Sequence, residues 1–90
     1  MHSNEFEISL SRELNVCKNT IQRIHKSLGI LERKHNKTTE VFMQELLNNT
    51  LTGRPEYKED YDAWQSSYES LKKWEELESQ FQDALRRMKI

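Results

Sequence analysis

A chain of 90 residues with a net charge of −1 allows one domain, residues 1–90, and leaves little room for two. So small a net charge argues against a general nucleic-acid binder, which needs surplus Lys and Arg to neutralise phosphates. With 34% hydrophobic and 32% charged residues, two Gly and one Pro, the composition favours long helices with narrow apolar stripes. No alternating run of β-branched residues and no Asn-Gly or Asp-Gly turn signals a strand or hairpin.

The first helix is predicted over about residues 4–35. Asn4 is a suitable N-cap, and Glu7 three residues on can complete a capping box. The apolar positions Leu10, Leu14, Cys17, Ile21, Ile24, Leu28 and Leu31 follow at spacings of 4, 3, 4, 3, 4 and 3, an unbroken heptad seam. Most residues between them are polar, so the stripe is narrow. Cys17 on that seam reads as a small buried hydrophobe, and a lone cysteine excludes an intrachain disulfide and suits a reducing compartment. Gly29 reads either as a point of close helix approach or as a tolerated surface glycine.

Arg33, Lys34, His35 and Lys37 place positive charge where a helix C-terminus favours it. Asn36 can adopt the left-handed cap, after which Thr38 can cap a second helix at about 38–48, carrying Val41, Phe42, Met43, Leu46 and Leu47. The rival is one continuous helix as far as Leu47, since the heptad register passes through His35, Thr38 and Phe42. The break is the favoured reading. Leu51-Thr52-Gly53-Arg54-Pro55 then forms a loop.

The third helix is predicted over about 55–88, with Pro55 first, Glu56, Glu59, Asp60 and Asp62 near its start, and Arg86, Arg87 and Lys89 at its end. Its stripe runs Tyr57, Tyr61, Trp64, Tyr68, Leu71, Trp74, Leu77, Phe81, Leu85 and Met88. Two successive steps of three, at 71–74–77, rotate the stripe, so its halves should face different neighbours. The aromatic first half is expected on the second helix and the second half on the first-helix seam. The fold class is therefore all-α: an antiparallel long-helix hairpin with coiled-coil-like packing and a short helix between its arms. Two such helices leave their seams partly uncovered, so association is expected, with a dimer through Leu10–Leu31.

The halves differ in charge. Residues 1–37 carry seven basic and four acidic side chains, or +3, while residues 38–90 carry seven basic and eleven acidic, or −4. Glu32-x-x-His35 has the spacing used in di-metal helical bundles, but the second copy and further carboxylates such a centre needs are missing, so no metal or cofactor is expected. His35 reads as a capping or solvated residue. No phosphate loop, nucleophile elbow or paired-carboxylate pattern is present, and no catalytic residue is assigned. The Tyr57–Tyr68 ladder is flanked by acids rather than cations, which suits a core or a protein interface better than stacked bases.

The order Leu31-Glu32-Arg33-Lys34-His35-Asn36-Lys37-Thr38-Thr39-Glu40-x-Phe42, then Tyr61-x-x-Trp64-x-x-x-Tyr68-x-x-Leu71, resembles short helical proteins encoded beside small toxins in prokaryotic toxin–antitoxin pairs. The resemblance implies a non-enzymatic partner that neutralises a small toxin, with Phe42, Tyr61, Trp64 and Tyr68 as framework residues; Trp74 extends that aromatic set along the same helix. Two alternatives stand beside it. One is a structural coiled-coil homodimer; the other is a secreted helical-hairpin family, whose Trp-x-Gly turn is absent here. The N-terminus offers no signal-peptide pattern and no stretch is apolar enough to span a bilayer, so a cytoplasmic protein is expected.

Overall fold

Two asparagines divide the chain into helices. In a computed structural model, which describes residues 5–51 and 55–88, α1 spans Glu5–His35, α2 spans Thr39–Leu47, a 3-10 turn covers Pro55–Tyr57, and α3 spans Lys58–Met88. Asn36 sits in the left-handed region at φ 53°, and the Lys37 N–H donates to the Glu32 carbonyl at 3.2 Å. Asn49 repeats the device at φ 56°, with the Thr50 N–H donating to the Glu45 carbonyl at 2.9 Å. Both are six-to-one closures, and Asn takes the left-handed position at less cost than most side chains. Thr38 is extended and its hydroxyl accepts from the Val41 N–H, so α2 begins where the sequence places its cap. The continuous-helix alternative is excluded. The proposed Asn4 cap, Gly53, Arg54 and Lys89 lie outside the described residues.

α1 and α3 pack against each other along their length. His35 meets Tyr57 and Asp60, Leu28 shares a cluster with Trp64 and Leu71, and Cys17 lies within the field of Glu78, so the helices run in opposite directions. The molecule measures 60 × 21 × 16 Å with a radius of gyration of 17.6 Å. A compact globule of this length would have about 12 Å. The fold is a rod, and no described helix is long and apolar enough to cross a membrane.

The core sits at one end of that rod. Leu28, Phe42, Trp64 and Leu71 form the buried cluster, with Ile21, Ile24, Leu31, Met43, Leu46, Leu51 and Tyr61 packed around it. The α1 seam turns towards α3: Leu10, Cys17 and Leu28 are buried, and Leu14, Ile21, Ile24 and Leu31 are half-buried. The first half of α3 packs on α1 as well as on α2, because the loop returns Tyr57 and Tyr61 to the end of α1. The expected contact of the aromatics with α2 is present, and α1 shares it.

Phe42 and Trp64 stack across the contact between α2 and α3. Both are fully buried, and their rings lie parallel within 2° with centroids 4.2 Å apart. Truncating a buried aromatic of this size costs about 3–5 kcal/mol. Phe42→Ala is therefore expected to lower unfolding stability by that amount in a urea titration; a loss under about 1 kcal/mol would place Phe42 outside the core.

Candidate functional site at the helix turn

The turn end of the rod gathers the chain's buried polar groups. Trp64 is fully buried on α3, and a buried indole N–H needs an acceptor. It finds one on α2: Trp64 Nε1–H donates to Thr39 Oγ1 at 2.9 Å. The Thr39 hydroxyl in turn donates to Glu32 Oε2 at 2.8 Å, and the Thr39 backbone N–H reaches the same oxygen, also at 2.8 Å. One relay thus joins all three helices. It also serves α2 locally, since Thr39 N–H belongs to the first turn and lacks a partner within its own helix. Glu32 supplies that partner from α1 and sets a carboxylate at the positive end of the α2 dipole. Among the described residues no buried side-chain polar atom is left without a hydrogen-bond partner.

His35 holds the opposite edge of the turn. Its side chain is 7% exposed, which corrects the expectation of a solvated histidine. The ring meets Tyr57 edge-on at 4.9 Å and stacks against Trp64 at 5.6 Å. Its Nε2 lies 2.9 Å from Asp60 Oδ2. The ionised carboxylate only accepts, so Nε2 carries the proton in this contact. Lys34 Nζ approaches the same Asp60 oxygen at 2.7 Å. The Lys34 hydrogen bond first, and His35 second, hold the Asp60 carboxyl below the usual carboxylate range, while Asp60 raises Lys34. Lys37 pairs with Glu45 of α2.

Of the framework aromatics, Phe42, Tyr61 and Trp64 come together. Tyr68 is half-buried, with the Lys72 ammonium 5.2 Å from its ring centroid, and it borders a cleft of about 580 Å³ that also includes His25, Glu32 and Thr39. Trp74 is half-buried further along α3, outside the core cluster. Glu32 and His35 do not converge on a common point: one carboxylate is bound to α2, and the imidazole to α3. No group of three metal-ligating side chains occurs among the described residues. Burial pushes the Cys17 thiol up, and Glu78 and Glu13 add to the shift, which keeps it protonated on the seam.

The pairing of Thr39 with Glu32 escaped the sequence reading, as did the partners of His35. The one available signal was Trp64 itself, since its N–H demands an acceptor somewhere. No protein-family model, curated protein or solved structure matches the chain.

Thr39→Val keeps the shape of the side chain but strips Trp64 of its acceptor and Glu32 of one donor. Each buried group left unpaired costs about 1–3 kcal/mol. Thr39→Val is expected to lose at least about 2 kcal/mol and Thr39→Ser much less, measured by denaturant unfolding; a larger loss for Thr39→Ser than for Thr39→Val would mean that the methyl group, not the hydroxyl, matters.

Proposed function

We propose that the chain is a non-enzymatic protein–protein interaction module that works by presenting helix surfaces. The observation that carries this reading is the uneven cover of the rod. α2 lies over the turn end only. Towards the other end α1 and α3 are the only layers among the described residues, and Leu14, Trp74, Leu77, Phe81 and Leu85 stay half-buried while Phe6 and Met88 are exposed. Two helices cannot enclose an apolar strip that a third or fourth helix would close.

Closing that strip with a second copy gives coiled-coil-like packing of two hairpins, to which the distal part of the Leu10–Leu31 seam contributes its half-buried members Leu14 and Ile21, since Leu10 and Cys17 are already covered by α3. Closing it with a different protein gives the antitoxin-like reading, in which the strip or an adjoining helix face covers the working surface of a small toxin, as helix-in-groove recognition allows. The likeness of residues 31–71 to antitoxin-like partners supports the second; the uninterrupted heptads support the first.

Sedimentation velocity separates the two. The homodimer reading expects a species of twice the 10.9 kDa chain, reduced to single mass by Leu77→Asp or Met88→Asp with helicity retained. A monomer that gains mass only when co-expressed with a small neighbouring protein supports the antitoxin-like reading. A monomer indifferent to any partner contradicts both.

A further inference from the structure

The face of α1 turned away from α3 carries one sign of charge. Residues two positions beyond each seam residue stand about 200° around the helix, at 100° per residue. They are Arg12, Val16, Asn19, Arg23, Lys26, Ile30 and Arg33, and all are exposed. Four are cations, two are aliphatic, one is an amide and none is acidic. Among the described residues none of these four cations has a carboxylate partner, whereas Lys34 and Lys37 at the turn are both paired. A face that serves only to keep a helix in water usually mixes both signs.

Its apolar members are also open. Val16 is 49% and Ile30 60% exposed. Beside Ile30 the surface dips at Gly29, where an added Cβ would meet nothing within 4 Å. His25, Lys26, Ile30 and Arg33 line that shallow groove of about 490 Å³ together with Gly29. From Arg12 to Arg33 the stripe runs roughly 32 Å at 1.5 Å per residue, enough for an entire partner helix.

We infer that this face docks an acidic amphipathic helix of another protein, its apolar seam on Val16 and Ile30 and its carboxylates on Arg12, Arg23, Lys26 and Arg33. A second copy is a poor occupant. The exposed positions Asp62, Glu69, Lys73 and Glu76 of α3 mix signs, and an α1-to-α3 outer contact is heterologous, so it cannot form a two-fold dimer. A phosphate backbone would leave Val16 and Ile30 uncovered. A bilayer would gain little from two β-branched side chains with no aromatic beside them. The inference rests on the interaction reading above and names the partner chemistry for one face.

The test uses the full chain and a synthetic helical peptide with Leu at its a and d positions and Glu at e and g, followed by fluorescence anisotropy. Binding is expected to weaken with added salt, and Arg23→Glu with Lys26→Glu together should weaken it at least about tenfold. The same peptide with Lys in place of Glu should bind the double variant better than it binds the unaltered chain. Gly29→Ala should raise the melting temperature, because Ala favours helix, and yet weaken the peptide by filling the groove. Failure to bind, binding indifferent to the charge reversal, or salt-dependent binding only to phosphatidylserine vesicles or duplex DNA would each overturn the assignment. Sedimentation of the reversed variant keeps the two proposals apart: if mass behaviour persists while the peptide fails to bind even the unaltered chain, this face is wrong and the module reading survives.

Discussion

A single indole N–H ties the three helices together. Trp64 is the largest side chain the protein hides completely, and hiding it is worthwhile only if its polar edge is matched. The match comes from Thr39, the first residue of α2, and Thr39 is in turn held by Glu32 of α1. Because α2 is only nine residues long, it has little helical stability of its own. Its position depends on that relay and on the stacking of Phe42 over Trp64. The arrangement fixes the turn end of the rod and leaves the far end as two helices.

That asymmetry gives the molecule two kinds of surface. Near the turn the buried polar groups are mutually satisfied and the cations Lys34 and Lys37 are paired, while Val41 and Leu47 on the outer side of α2 stay exposed. Further along, the strip from Trp74 to Met88 is half-open, and the outer side of α1 carries exposed cations around exposed Val16 and Ile30. The proposed interaction role rests on this contrast between the two ends of one 60 Å rod.

Local patterns were legible in the sequence and cross-helix choices were not. The seam residues Leu10, Cys17 and Leu28 could be read from spacing because helical periodicity records which side of a helix is apolar. The break at Asn36–Thr38 was legible because left-handed caps and N-caps depend on neighbouring residues only. Nothing local, by contrast, tells Glu32 that its acceptor will serve Thr39, or tells His35 that its ring will enter an aromatic cluster. Those partners meet only once the loop has returned α3 to the end of α1. Charge near a helix terminus pointed to solvent for His35, and tertiary packing decided otherwise.

Hydrogen exchange of the two tryptophan indoles tests the central claim most directly. If the Trp64–Thr39–Glu32 relay holds the helices together, the Trp64 indole N–H exchanges only when the whole chain unfolds, at the rate of the slowest core amides. The half-buried Trp74 indole provides the internal comparison and should exchange far faster. Equal, fast exchange at both indoles would contradict the account, because the bond from Trp64 to α2 would then open without disturbing the rest of the fold.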